Sequence, residues 1–220
     1  VVDLISDLQA ATVRANLERV RSEIAAAGRA HDSVQILGAV KYVPLEALGE
    51  LQQAGLTLLG ENRTQDLVAK ATAYPGVFTW DFIGALQSRR VAQIVPHVRY
   101  IHSVASDSAL VRLARHATTR TRIMIEVNVA GEDGKSGIAP AELGGFLERS
   151  PVPVVGLMTM PPQVDRAELN RRHFAALREL AVHHGLPELS MGTSQDYLVA
   201  VQEGATIVRL GRSLYFPSAS

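Results

Sequence analysis

The sequence predicts an α/β fold, a single (β/α)8, TIM-barrel-like domain over residues 1–220 with an extra N-terminal helix. Three observations carry that expectation. Short β-rich apolar runs alternate with longer helical patterns, and strict alternation implies parallel strands joined by crossover helices. About eight such units fill 220 residues, the small end of the usual barrel range. No Pro/Ser/Gly-rich linker, composition shift, low-complexity tract or internal repeat divides the chain. A doubly wound open sheet is the alternative, and its edge strands would need covering.

The first thirty residues place Leu4, Leu8, Val13, Leu17, Val20 and Ile24 at helical spacing among charges. That pattern predicts an amphipathic helix rather than the apolar core of a signal sequence. Strand runs follow at 34–41 (VQILGAVK), 56–62 (LTLLGEN), 78–84 (FTWDFIG) and 98–104 (VRYIHSV). Four more lie at 121–129 (TRIMIEVNV), 152–160 (VPVVGLMTM), 187–194 (PELSMGTS) and 205–211 (ATIVRLG). Helical patterns separate them: PLEALGELQQAG, TQDLVAKATAY, RRVAQIVPH, SDSALVRLARHAT, AELGGFLERS, AELNRRHFAALRELAVHHG and YLVAVQEG.

Twenty-two Lys+Arg balance 22 Asp+Glu, so no net field draws the protein to nucleic acid or an anionic membrane. No apolar run approaches the ~18 residues of a spanning helix. The chain has no cysteine, which fits a reducing compartment and makes the cytoplasm the expected location. The seven histidines show no paired metal-ligand spacing, and His183-His184 reads as a helix end.

In a barrel, function sits at the carboxyl ends of the strands. Those ends carry Lys41, Asn62, Gly84 with Gln87 and Ser88, Ser103, Asn128, Met158 with Met160, Ser194, and Arg209 with Gly211. Ser103 reads as a helix cap or a loop hydrogen-bonding group. Lys41 ends an apolar strand, so it is expected in a partly dry mouth where desolvation lowers its pKa and frees the amine to attack a carbonyl. A snorkelling or salt-bridged lysine fits that strand equally well.

The run SMGTSQDYLVAVQEG (190–204) leaves a strand through a small turn, and Ser194 is expected to open the next helix, where free N–H groups suit an anion. IVRLGRS (207–213) places Gly211 where backbone can approach a ligand, and barrels often bind phosphate between these last two loops. Arg209, inside an apolar run, must point into the mouth or find a partner, with Glu61 or Glu126 the candidates. A carbonyl-reactive lysine, a phosphate cradle and an inward arginine together suit pyridoxal 5′-phosphate (PLP).

These residues resemble the pyridoxal phosphate homeostasis proteins (the YggS/PROSC type) over nearly the whole chain. The likeness is carried by AVKYVP around Lys41, LGENRTQD around Asn62, WDFIGALQSRR (80–90), IHSV (101–104), VNVAGEDGKSG (127–137), GLMTMPP (156–162), LSMGTSQDY (189–197) and GATIVRLGRSLY (204–215). That family is similar to the barrel domain of alanine racemase, PLP fold type III. The resemblance implies that Lys41 carries the cofactor as an internal aldimine and that Asn62 lies beside it. It further implies that Met158 lines the pocket and that Ser194, Gly211 and Arg212 bind the phosphate, the last two through backbone N–H groups. Arg209 matches the arginine that faces the pyridine nitrogen and keeps it unprotonated, which weakens the ring as an electron sink.

Departures from the family pattern are Asp81 for the histidine of W-H-F-I-G, Ala85 for the proline of G-P-L-Q-S, Val40 for the serine of S-K, then Thr193, Gln195 and Phe216. Lys135, in GEDGKSG, is read as a structural or gating loop lysine. The implied role is a monomer that stores, buffers or delivers PLP in vitamin B6 homeostasis, with apo PLP-dependent enzymes as the recipients it suggests. A PLP-dependent racemase-like enzyme and a cofactor-free Schiff-base aldolase are the alternatives. The racemases it resembles need a second domain, for which a chain ending at Ser220 leaves no room, and Tyr42 or Tyr197 would have to replace the opposing base.

Overall fold

In the computed structural model, which describes residues 4–5 and 7–217, eight parallel strands close into a barrel in sequence order. They are β1 Gln35–Ala39, β2 Leu58–Glu61, β3 Thr79–Phe82, β4 Tyr100–Val104, β5 Arg122–Glu126, β6 Val154–Met158, β7 Glu188–Thr193 and β8 Ile207–Leu210. Pairing of β1 with β8 closes the barrel, with Leu37 opposite Arg209. The helices are α1 Ala10–Ala26, α2 Leu48–Gln53, α3 Thr64–Ala73, α4 Val91–Ile94, α5 Asp107–His116, α6 Leu143–Glu148, α7 Arg171–His183, α8 Tyr197–Gln202 and α9 Arg212–Tyr215.

Most apolar burial lies between strands and helices, where each fully buried aliphatic side chain contributes about 1.5–3 kcal/mol. Val13, Leu17, Val20 and Ile24 form the buried face of α1. A smaller apolar cluster of Leu37, Met124, Met158 and Ile207 fills part of the barrel interior. Asp81, His102, Ser190 and Arg209 are also buried, and each needs a polar partner.

The predicted elements are present with shifted edges. Leu4 is 59% exposed and Leu8 precedes α1, because the helix starts at Ala10. Its N-terminal N–H is satisfied from a distance: Ala10 N donates to Glu50 Oε2 at 2.8 Å. The strand expected over 121–129 leaves its ladder after Glu126, and Asn128 N turns to Ile138 O at 2.9 Å. RRVAQIVPH makes one α-helical turn between two 3₁₀ turns, since Pro96 cannot donate a helical hydrogen bond. The short helix α9 was not expected after the last strand. Among the described residues no helix is long and apolar enough to cross a membrane.

Candidate functional site

Lys41 follows β1 at the carboxyl end of the barrel and lines a cavity of about 530 Å³ shared with Ser194, Arg209, Gly211 and Arg212. The dry setting expected for it is not found. Lys41 is exposed, because it lies beyond the last paired residue of β1, and its Nζ lies 4.5 Å from the centroid of the Tyr42 ring. Among the described residues the amine makes no hydrogen bond or ion pair, so the salt-bridged reading is also excluded. The backbone beside it is fixed from behind. Lys70 on α3 donates to Val40 O at 2.8 Å and to Glu61 Oε1 at 2.5 Å, and Glu61 Oε2 accepts from Asn62 N at 2.8 Å.

Ser194 does not open a helix. The N-cap of α8 is Asp196, whose Oδ1 accepts from Thr193 N at 2.7 Å and whose Oδ2 accepts from Asn170 Nδ2 at 2.9 Å. A carboxylate in that place takes the loop's N–H and leaves Ser194 in the turn. There its Oγ accepts from Gly211 N at 3.2 Å and Ser213 N at 3.3 Å, and lies 3.0 Å from Ser213 Oγ. Two backbone N–H groups therefore converge on one oxygen. The Arg212 side chain is exposed and has no hydrogen bond or ion pair among the described residues.

Arg209 is buried at the cavity without the ion pair considered for it. Glu61 is taken by Lys70, and Glu126 accepts from Ser136 Oγ. Instead Arg209 Nη1 donates to Ser190 O at 2.7 Å and Ser190 Oγ at 2.6 Å, while Nη2 donates to Thr159 O and Met160 Sδ at 2.9 and 2.8 Å. A guanidinium has five N–H donors; four are used here, and the Nε–H has no acceptor among the described residues. Burial pushes Arg209 down to about 10 while Glu126 and Asp196 work against it, so it stays a cation at neutral pH.

Two expected site residues stand apart from the Lys41 cavity. Met158 belongs to the apolar interior cluster below it. Asn62 lines a neighbouring pocket of about 180 Å³ with Arg63, Ala85, Gln87 and Arg90, and its buried Oδ1 has no hydrogen-bond partner among the described residues. Gly84 abuts the Asn62 backbone so closely that any Cβ would collide with it, and Ser103 Oγ donates to Gly84 O, which settles Ser103 as a loop tie. The cap of α5 is Ser106. Asn128 Nδ2 donates to Glu132 O at 2.9 Å, and Lys135 pairs with Glu132 in the same loop. His183 closes α7.

The structure adds cavity residues that strand-end reasoning omitted: Ile5, Ala39, Tyr42 and Tyr215, with the departures Thr193, Gln195 and Phe216. Tyr215 is buried, which raises its pKa, and its hydroxyl has no hydrogen-bond partner among the described residues. Tyr197 OH donates to Glu23 on α1 and is thereby occupied. Asp81 lies deeper, paired with Arg99 and His102.

The alanine racemase N-terminal domain family matches residues 9–219. A pyridoxal phosphate homeostasis protein of Aquifex aeolicus is 38% identical over 213 residues, spanning 90% of this chain and 93% of that protein. PipY of Synechococcus elongatus, solved with PLP bound, superposes with a TM-score of 0.78 at 31% identity, covering 93% of this chain and 100% of that one. Alanine racemase of Corynebacterium glutamicum shares the fold, with a TM-score of 0.72 at 14% identity over 100% of this chain and 64% of that one. A barrel closed in sequence order agrees with these matches, and the chain belongs to the alanine racemase N-terminal domain family and, within it, to the pyridoxal phosphate homeostasis proteins.

Proposed function

We propose that this protein binds PLP at the barrel mouth, with Lys41 holding it covalently through the side-chain amine, and that it stores, buffers or delivers the cofactor. The observation that carries the reading is the convergence of Gly211 N and Ser213 N on one oxygen, in a cavity that also holds Lys41 and Arg209. The Ser194 hydroxyl on which these two N–H groups converge marks a polar turn suited to a phosphate, whose oxygen would take the place of Ser194 Oγ as their acceptor, and Arg212, without a hydrogen bond or ion pair among the described residues, adds charge. The fifth donor of Arg209 suits an unprotonated ring nitrogen. The cavity volume falls within the ~300–1,000 Å³ of small-ligand pockets. The resemblance also assigns Asn62 and Met158 to the set, from the neighbouring pocket and the apolar interior cluster, and the Asn62 Oδ1 has no hydrogen-bond partner among the described residues.

Bound PLP supplies an aldehyde and an electron-accepting ring. Around it this chain places a permanent cation at Arg209 rather than a carboxylate, which disfavours strong carbanion chemistry and supports holding over turnover. We further place the protein in the cytoplasm as a monomeric, single-domain barrel over 1–220, with apo PLP-dependent enzymes as recipients. The test is a visible spectrum of purified protein with added PLP, then borohydride reduction and peptide mass analysis. The phosphopyridoxyl mass is expected on Lys41, and a label confined to Lys70 or Lys135 overturns the assignment.

A further inference from the structure

A line of polar side chains, buried from Asp81 to Arg209 and half-buried at Arg99, crosses the barrel interior beneath the cavity. Arg99, before β4, donates to Asp81 Oδ1 and Oδ2 at 3.0 and 2.6 Å and to Gln35 Oε1 at 2.5 Å. Asp81 Oδ2 lies 3.0 Å from His102 Nε2, and His102 Nδ1 lies 2.8 Å from Ser190 Oγ. Ser190 Oγ in turn meets Arg209 Nη1. Asp81, His102 and Ser190 are fully buried, so none of these groups has water as an alternative partner.

Chemistry fixes the direction of every link. A guanidinium only donates, so Ser190 Oγ accepts from Arg209 and its own proton must go elsewhere. The partner in reach is His102 Nδ1, which must then carry a lone pair. An ionised carboxylate only accepts, so His102 Nε2 carries the hydrogen and gives it to Asp81. With Nδ1 protonated as well, Ser190 Oγ would receive two donors and its hydroxyl proton would have no acceptor, at a buried site where that is costly. The neutral Nε2–H tautomer satisfies every group.

We propose that Asp81, His102 and Ser190 are positioning residues that hold the Arg209 guanidinium at the cavity through a one-way hydrogen-bond chain ending on a neutral His102. The charged groups facing His102 are Asp81 from β3, Arg99 and Arg209. Burial, with the two arginines, holds its imidazole below the ordinary range against the pull of Asp81. Asp81 is opposed by burial, yet hydrogen bonds from His102 and Arg99 keep its carboxyl below the usual value. With four donors saturated, Arg209 has one orientation in which the Nε–H is left over. That orientation is what the chain contributes, and its use toward a ring nitrogen rests on the function proposed above.

The test uses ¹⁵N-labelled protein without added ligand, and then PLP titration. Long-range ¹H–¹⁵N correlation spectra of His102 are expected to show a protonated Nε2 and a bare Nδ1 at neutral pH. Rotation about the Arg209 Cζ–Nε bond is expected to be slow in wild type, faster in Ser190→Ala and His102→Leu, and slow again in His102→Gln, whose amide offers one acceptor and one donor. PLP affinity is expected to fall about tenfold in Ser190→Ala, the scale of one lost hydrogen bond to a charge, and to hold in His102→Gln. An Nδ1–H or doubly protonated His102, or Arg209 rotation unchanged in Ser190→Ala, overturns the proposal even if His102→Leu does not fold. Failure of the wild type to take up PLP sinks the functional reading alone, because both NMR readouts stand without it.

Discussion

Lys41 and Lys70 sit on opposite sides of Val40 and share nothing but their side chain. Lys70 approaches from the helical layer and is buried, and its ammonium binds both Val40 O and a fully buried Glu61. Lys41 faces the mouth, exposed, with only an aromatic ring for company. The same contrast divides the whole carboxyl end of the barrel. Behind and beneath the cavity, Glu61, Asp81, His102 and Ser190 have their polar atoms satisfied by protein. At the cavity, the Lys41 amine, the Arg212 guanidinium and the Arg209 Nε–H are left over among the described residues. Saturated groups hold the fold, and groups with spare capacity are the ones available to a ligand.

The sharpest way to break this comparison is to exchange each lysine for methionine. Lys70→Met leaves Glu61 buried and uncompensated, so urea unfolding is expected to show a loss of about 3–5 kcal/mol. Lys41→Met is expected to stay within about 0.5 kcal/mol of wild type while abolishing the borohydride-trapped label. Equal losses in the two variants would erase the distinction.

A smaller effect sharpens the mouth side. Ser194→Ala removes the hydroxyl at the two-donor site, and a charge-assisted hydrogen bond is worth about 1.5–3 kcal/mol. PLP affinity is expected to drop by about one to two decades, with phosphate-free pyridoxal little affected. If the ratio of the two affinities matches wild type, Ser194 only braces the Gly211 loop.

The smallest effect probes the saturated side. His102 is held below its ordinary value, so on acidification the unfolded chain takes up a proton that the folded chain refuses. Stability is therefore fully present above pH ~6.5 and falls below it by up to ~1.4 kcal/mol per pH unit until the folded imidazole itself protonates. The lowered Asp81 adds its own loss only below pH ~3.9. Denaturant midpoints from pH 7 to 5 should show this slope reduced in His102→Gln. Parallel profiles in the two proteins would remove His102 from the saturated set.

The barrel is legible because β runs and helical runs alternate without interruption, and the strand-end rule picks out Lys41, Ser194, Arg209 and Gly211, which share one cavity. What sequence could not supply was competition among neighbours. Ser194 reads as a helix start, but α8 begins after Asp196, two residues on, whose carboxylate takes the loop N–H of Thr193. Arg209 looked in need of a carboxylate, but two carbonyls, a hydroxyl and a thioether meet it. Asp81 was visible only as a departure from the W-H-F-I-G pattern. Its partners Arg99 and His102 lie just before and within β4, and the β3–β4 register, with Asp81 opposite Tyr100, is what brings them to it.

The cavity draws on residues from Ile5 to Phe216, and within the barrel its two halves meet where β1 pairs with β8, the parallel contact of greatest sequence separation. Such contacts carry the largest loop-closure cost and form slowly. Before that seam forms, Lys41 and the Gly211 N–H belong to opposite ends of an open sheet. A ligand spanning them binds the closed form alone, and by mass action it draws the folding equilibrium toward closure. Its residence in the mouth is thus also a clasp on the seam that closes the barrel.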